Sequence, residues 1–170
     1  MAEGAALYQQ RPTPLTGGTF QRGWLTQHWA GRRADLGLER KVVSVDATFK
    51  GGDGSDCVGF QFRGSRGAEG YLRAQLRARR NYPETKAALR AFVAQEQPDA
   101  VIVEDKANGS ALVDDLKSEI VGLIAVNPGT KSKEERAEVG AVPSFQAMQV
   151  HLPPPEQAPW VGEYVEELCA

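Results

Sequence analysis

Residues 42–48 read VVSVDAT, and the glycine-rich segment KGGDGSD follows at residues 50–56. The first run is mostly apolar and β-branched, so it predicts a buried strand over residues 42–47. Asp46 interrupts this run, and a lone charge at the end of a buried strand is costly because it loses its hydration. Asp46 therefore either caps the end of the strand or belongs to a site that compensates its charge.

The composition limits the class of protein. The 170 residues carry a net charge of −2 and 41% are hydrophobic, which is typical of one globular domain with a substantial core. Two cysteines and two histidines are too few for a disulfide framework or a His-based zinc cage, so any metal is expected to be a hard ion held by carboxylates. No apolar run approaches the ~18 residues of a membrane span. The N-terminus lacks the charged-then-apolar order of a signal peptide.

The regular part of the chain is predicted to begin with an antiparallel meander. Strands are expected over residues 42–47, 57–63 and 71–79, with glycine-rich turns over 49–56 and 64–70. Apolar and polar residues alternate along the third strand, so one set is expected to face the core and the other to face solvent. The inward set is Leu72, Ala74, Leu76 and Ala78, and the outward set is Arg73, Gln75, Arg77 and Arg79.

Helices and short strands are predicted to alternate in the rest of the chain. Pro83 opens one helix and Asn108 caps a second. The further elements are strands over 100–103 and 123–126, a helical stretch over 131–149 that Pro143 divides, and a last helix over 160–169. The resulting order, βββαβαβα, predicts an α/β fold with a mixed sheet flanked by helices on both faces. That is the order of an RNase H-like fold.

Residues 1–40 differ from the rest of the chain because glycines, prolines and two tryptophans stand among polar residues. This composition is typical of an irregular arm or linker, with a short helix expected near Trp24–Ala30. The alternative is a lead-in that packs on a neighbouring domain through its aromatic residues, which are Tyr8, Phe20, Trp24 and Trp29.

Two of the predicted core strands end in acidic residues. Asp46 ends the first, and the run AVIVED places Glu104 and Asp105 at the end of another. If these strands are neighbours, Asp46 and Glu104 meet at one edge of the sheet, where two carboxylates repel each other. A divalent cation removes that repulsion, and Mg²⁺ typically takes one or two protein carboxylates together with substrate phosphate oxygens. Asp105 is expected to point to the other face and to have a structural role.

Basic residues cluster in two places. Residues 61–80 hold six arginines and one acid, which indicates either a solvated strand face or a surface that follows a phosphate backbone. A second group opens a helix after a Pro-Gly turn, where cations oppose the helix dipole unless a phosphate binds there. Surface charges balanced by Glu134 and Glu135 are the alternative. The candidate DNA contacts are Arg73, Arg77, Lys131, Lys133 and Arg136.

Several segments resemble, in order, the nuclease domain of phage terminase large subunits, a branch of the RNase H-like superfamily. They are VVSVDATFKGGDGSD, the arginine-rich third strand, NYPETKAALRAF, VIVEDKANGSALVDDL, IAVNPGTKSKEERA, and VHLP followed by a tryptophan-bearing helix. The block VEDKANG is the most specific of them. The likeness covers residues 41–170, and the lead-in ALYQQRPTPLTGGTFQRGWL resembles the segment that closes the ATPase domain in that family. The resemblance therefore implies a nuclease domain over 41–170 and an arm or linker over 1–40.

The resemblance also implies an activity and its components. Members of the family are endonucleases that cut concatemeric double-stranded DNA during genome packaging, with a two-ion site for Mg²⁺ or Mn²⁺. Asp46 and Glu104 match two acids of the family motif, and we expect Asp46 to bridge the ions and Glu104 to bind one of them. The implied partners are double-stranded DNA, the terminase ATPase domain, the portal and the small subunit, in the cytoplasm of the host cell.

One element of the family pattern has no match in the sequence. The family's third acid is an aspartate after the tryptophan helix and a Phe-Pro step, whereas these 170 residues end at Glu-Glu-Leu-Cys-Ala. Glu163, Glu166 or Glu167 would replace it only if the last helix points inward. The alternative function is therefore a catalytically impaired fragment that binds DNA or a packaging partner. A transposase or junction resolvase of the same fold is a third reading, which VEDKANG and the lead-in disfavour.

Overall fold

The structure, a computed structural model, describes residues 18–33, 36–47, 56–105 and 109–170. The turn predicted over 49–56 lies almost entirely outside the described residues, and so does the cap predicted at Asn108. Within the described residues, no helix has the length and apolar character needed to cross a membrane.

A mixed six-stranded sheet forms the centre of the fold, with the strand order β5-β4-β1-β2-β3-β6. The strands are β1 (Arg40–Ala47), β2 (Asp56–Arg66), β3 (Glu69–Arg80), β4 (Ala100–Glu104), β5 (Leu123–Val126) and β6 (Val150–His151). β1 pairs antiparallel with β2 and parallel with β4, so it is a central strand as its apolar sequence predicts. The helices are α1 (Tyr82–Glu96), α2 (Gly109–Leu116), α3 (Lys133–Gly140), α4 (Val142–Gln146) and α5 (Val161–Cys169), with a 3-10 turn over Arg22–Leu25. The α/β class and the RNase H-like order are confirmed.

One face of the sheet packs against α1 and α2 and forms the larger core. Alternate residues of β1 and β4 are buried there, because successive side chains of a strand point to opposite faces. α1 begins at Tyr82, one residue before the predicted start at Pro83, with a reciprocal capping box between Asn81 and Glu84. The core side chains include Val43, Val45, Phe60, Phe62, Val101, Val103, Leu89, Phe92, Leu112 and Leu116.

The hairpin of β2 and β3 differs from the prediction in two ways. The turn expected over 64–70 is only two residues long, because Arg66 pairs with Glu69 and Gly67 adopts a positive φ of 58°. Inward and outward side chains also do not alternate regularly along β3. The register shifts between Phe62 and Arg63, which leaves Arg73 as an extra residue in β3. An extra residue in one strand moves the side chains beyond it to the opposite face. Leu72 consequently leaves the core beneath α1 and packs in a second core.

This second core covers the other face of the sheet at its β3 end. Residues from α4, α5 and the lead-in surround Leu72 and Leu152, both of which are buried. Phe20 of the lead-in stacks edge-to-face on Phe145, with ring centroids 5.1 Å apart. The predicted division of the 131–149 stretch is present, with Pro143 in the first turn of α4. A sixth strand, β6, pairs with β3 where the sequence predicted only an extended segment from His151.

The lead-in residues 18–33 pack along β3 and the proline-rich segment rather than forming the helix expected near Trp24–Ala30. The helical part is limited to the turn Arg22–Leu25. Trp29 lies instead in an extended stretch, where its backbone N–H donates to the carbonyl of Leu152. The helical turn stops at Leu25 and does not continue to Ala30. Residues 27–29 pair with residue 152, and this pairing uses the backbone groups that a longer helix would need.

Trp29→Phe is expected to destabilise the fold by about 1–2 kcal/mol. The buried indole N–H of Trp29 donates to the carbonyl of Leu72 at 2.9 Å, and phenylalanine would leave that bond unmade while keeping most of the apolar contact. Urea unfolding followed by far-UV circular dichroism measures the change. Trp160→Phe is the control, because Trp160 is half-exposed and packs edge-to-face on Tyr164. Equal losses for the two variants would contradict the role of the indole bond.

Candidate metal and nucleic-acid site

Asp46 and Glu104 lie at the carboxyl ends of two neighbouring parallel strands. The register of β1 and β4 runs to Val45 opposite Val103, so these two acids stand one position further along, on the face away from α1 and α2. Both line an open cleft of about 840 Å³. The Asp46 side chain is 53% exposed and that of Glu104 is 22% exposed, so both are reachable from solvent. The structure therefore brings together the two acids that the sequence singles out.

Two cations from α3 contact these carboxylates. The Nζ of Lys133 donates to Oδ2 of Asp46 at 3.3 Å. Both terminal nitrogens of Arg136 donate to Oε1 of Glu104, each at 3.3 Å. Cations at the start of a helix are unfavourable because they oppose its dipole. Here the contacts of Lys133 with Asp46 and of Arg136 with Glu104 offset that cost.

The local sequence fixes where α3 begins. Ser132 caps the helix by accepting from the backbone N–H of Glu135, whose side chain accepts in return from the N–H of Ser132. Backbone and Ser132 hydrogen bonds lower the pKa of Glu134, because they stabilise its charged form at the helix N-terminus. Glu134 and Glu135 therefore bind the helix end, while Lys133 and Arg136 are directed at the cleft.

Polar side chains of β2 and β3, which no sequence motif marks as functional, form the floor of the cleft. Gln61 donates to Gln75 at 3.1 Å and accepts from Nε of Arg63 at 2.7 Å. Burial raises the pKa of Tyr164, which also lines the cleft, while the charge of Arg63 acts in the opposite direction. Alternation along β2 could have indicated this floor, since Gln61 and Arg63 share the face opposite Phe60 and Phe62.

The last helix contributes an acid to the same cleft. Glu167 of α5 lines it and forms an ion pair with Arg77 of β3. A hydrogen bond to Cys57 and the charge of Glu167 raise the pKa of Arg77. Glu166 instead binds Arg22 at 2.7 Å on the outside. Among the residues that the structure describes, no three His, Cys, Asp or Glu side chains come together as a group able to hold a metal.

The remaining predicted site residues are placed differently. Lys131 is exposed just before α3, close in sequence to the cleft cations. Arg73 does not point to solvent as the alternation predicted, because it lies at the register shift and stacks over Phe62, 3.8 Å from the ring centroid. It binds Glu96 at the end of α1 and does not line the cleft. Asp105 accepts from the hydroxyl of Ser110 in α2, in agreement with a structural role.

Comparison with known proteins identifies relatives of this fold. The family described as the terminase RNaseH-like domain matches residues 43–168. Proteins of curated function give no sequence match. The large terminase nuclease of thermophilic phage G20c, solved with bound magnesium, is 16% identical with a TM-score of 0.62, over 92% of this chain and 81% of that one. The same nuclease with bound zinc is 15% identical with a TM-score of 0.57, over 84% of this chain and 83% of that one.

A longer relative matches the chain over only part of its own length. The large terminase of a second thermophilic bacteriophage is 14% identical with a TM-score of 0.58, over 81% of this chain. The chain spans about a third of the length of that terminase, since the match covers 34% of it. At these identities the solved structures support the fold alone, whereas the family match extends from β1 into α5. Because that match takes in residues 43–168, the chain belongs to the family of terminase RNase H-like domains.

Proposed function

We propose that this chain is the metal-dependent endonuclease domain of a viral DNA-packaging terminase and that it cleaves double-stranded DNA. The observation that carries the proposal is the meeting of Asp46 and Glu104 at the carboxyl ends of β1 and β4, inside an open cleft. Ligand sites of sheets with parallel strands typically lie at such ends. The substrate during packaging would be concatemeric DNA in the host cytoplasm.

The chemistry of the two acids fits Mg²⁺ or Mn²⁺. Both ions prefer oxygen ligands, and Mg²⁺ sites commonly use one or two carboxylates and leave further positions to water and substrate phosphate. The cations Lys133 and Arg136 already lie against the two acids, which indicates that this edge of the sheet requires positive charge. One related nuclease, that of phage G20c, was solved with magnesium, with zinc and with cobalt.

We assign the acids at the strand ends to metal binding and the surrounding cations to phosphate binding. Asp46 and Glu104 would hold the ion or ions at the end of the sheet. When bound, such an ion lowers the pKa of a water molecule and stabilises the charge that develops on a phosphodiester. Arg77, Lys131, Lys133 and Arg136 are our proposed phosphate contacts around the cleft. Arg73 is less suited, because its side chain is only 14% exposed and does not line the cleft.

A catalytically impaired domain that binds DNA or a packaging partner is the second candidate. This candidate is favoured by the small number of acidic ligands. In the part of the chain that the structure describes, no third acid joins Asp46 and Glu104 in a group able to hold a metal. The partners in that case would be those of a terminase, namely its ATPase domain, the portal and the small subunit.

Nicking of supercoiled plasmid with Mn²⁺ separates the two candidates. Asp46→Asn and Glu104→Gln keep the shape of each side chain but remove its charge, and we expect each to lower the rate at least about 100-fold. Glu156→Gln is the matched control because Glu156 is exposed in the proline-rich segment. Equal background nicking by wild type, Asp46→Asn and the control would reject the nuclease and leave the binding domain.

A further inference from the structure

We propose that Lys133 and Arg136 are exchangeable counterions of the cleft: they neutralise Asp46 and Glu104 in the metal-free protein and are released to DNA phosphates when a divalent ion binds. The inference rests on the proposed function, because it assumes that these two acids bind the ion. It adds a regulatory property, namely that metal binding and DNA binding are coupled through α3.

The contacts support an exchange rather than a permanent ion pair. All three hydrogen bonds from Lys133 and Arg136 measure 3.3 Å, which is beyond the usual range for charge-assisted bonds. The Lys133 side chain is 66% exposed, so water can replace its contact with Asp46. A divalent ion on the same oxygens would repel both cations, since each would lie within a few ångströms of a double positive charge.

The surroundings of α3 allow its cations to move. Every residue of α3 is exposed or half-exposed, and the helix is held by its capping box, by contact with α4 and by Ala137 at the edge of the second core. Few buried contacts are the mark of a segment that opens at low cost. Gly129 precedes the helix with a positive φ of 72°, and Gly140 ends it with open space where a Cβ would lie.

The exchange explains why two cations lie near a helix N-terminus, beside acids that would also bind a metal ion. With the ion absent, Lys133 and Arg136 are engaged and contribute little to phosphate binding. With the ion present, both charges become available at the rim of the cleft. DNA affinity is then highest when the site is loaded, which disfavours binding of DNA by a domain that lacks its ion.

Metal affinity gives the direct test, measured by titration calorimetry of the full chain with MnCl₂ and without DNA. The double variant Lys133→Gln/Arg136→Gln removes the competing cations, so we expect it to bind Mn²⁺ about three- to tenfold more tightly than wild type. Lys117→Gln is the control, because it removes one exposed cation that pairs with Asp114 and does not line the cleft. We expect it to change the Mn²⁺ affinity less than about twofold.

The outcomes separate this inference from the proposed function. Mn²⁺ binding that Asp46→Asn abolishes, with an unchanged or weaker affinity in the double variant, would overturn the exchange and leave the metal site standing. Mn²⁺ binding that Asp46→Asn does not affect would overturn the metal site and the exchange together. Tighter binding by the double variant, lost again on adding Asp46→Asn, would support both.

DNA affinity supplies an independent readout, measured by fluorescence anisotropy with a labelled duplex in EDTA and in CaCl₂. We expect the excess of wild-type affinity over that of the double variant to be smaller in EDTA than in CaCl₂, because the two acids engage Lys133 and Arg136 when no ion is bound. In CaCl₂, the salt dependence of wild-type binding should be steeper than that of the variant by up to about 1.8 log units per decade, for two phosphate contacts. A wild-type excess of equal size in EDTA and in CaCl₂ would show that both cations contact DNA without exchange.

Discussion

Glu96→Gln is expected to destabilise the protein by about 3–5 kcal/mol, the largest loss that we anticipate from one substitution. Glu96 ends α1 with its side chain fully buried, and two arginines bind it from different segments. Arg73 reaches it from β3 and Arg33 from the lead-in. The variant keeps the volume of the side chain but leaves two guanidinium groups without the charge that compensates their burial.

The surroundings of Glu96 make the loss hard to avoid. Arg73 is 14% exposed, donates to Oε2 of Glu96 from Nε at 3.1 Å and from a terminal nitrogen at 3.0 Å, and donates to its backbone carbonyl at 2.7 Å. Burial lowers the pKa of Arg73, and the nearby charge of Arg33 lowers it further. Both effects disfavour the charged form of Arg73, and the carboxylate that contacts it and offsets them is that of Glu96.

A double-mutant cycle distinguishes the ion pair from general damage to α1. Arg73→Met in the wild type should leave Glu96 partly uncompensated, whereas in the Glu96→Gln background it removes an unpaired cation. We therefore expect the two changes together to cost about 1–3 kcal/mol less than the sum of the single losses, as measured by urea unfolding. Glu156→Gln serves as the exposed control. A Glu96→Gln loss below about 1 kcal/mol would show that water reaches the cluster and solvates both arginines.

The placement of Asp46 and Glu104 was accessible from the sequence for a simple reason. Each acid directly follows a run of buried β-branched residues, and parallel neighbours in a sheet end at the same edge. Strand pattern predicted that the two acids meet if their strands are neighbours, and the sheet does pair β1 with β4. Their chemical roles remain a proposal, because pattern fixes position and not the ligand.

Other features depend on contacts that no local pattern encodes. Arg73 occupies the register shift in the hairpin, and a single extra residue reverses the face of every residue beyond it. The pairing of Lys133 with Asp46 joins residues 87 positions apart, and it depends on where α3 returns to the sheet. The extended conformation of Trp29 could not be predicted from the local sequence either, because it results from backbone pairing with residue 152. These features were therefore set by tertiary packing, which overrides local preference.

Gly109→Ala is expected to disturb the candidate metal site through the backbone. Gly109 is the buried first residue of α2, and a Cβ there would lie 2.1 Å from the carbonyl oxygen of Glu104 and 3.1 Å from its carbonyl carbon. Neither atom belongs to a flexible side chain, so either α2 or the end of β4 must move. We expect a loss of about 2–3 kcal/mol in the free energy of unfolding.

The same displacement would move the carboxylate of Glu104 relative to Asp46. A metal site tolerates errors of only about 0.5 Å, so we expect Mn²⁺ affinity measured by calorimetry to fall at least about tenfold at a temperature where the variant remains folded. Gly162→Ala is the matched control, because a Cβ at Gly162 in α5 would meet no atom within 4 Å beyond its own helix backbone and chain neighbours. Alanine there should stabilise the helix by up to about 1 kcal/mol without changing Mn²⁺ affinity. If Gly109→Ala behaved like that control, β4 and α2 would not approach each other closely enough for α2 to position Glu104.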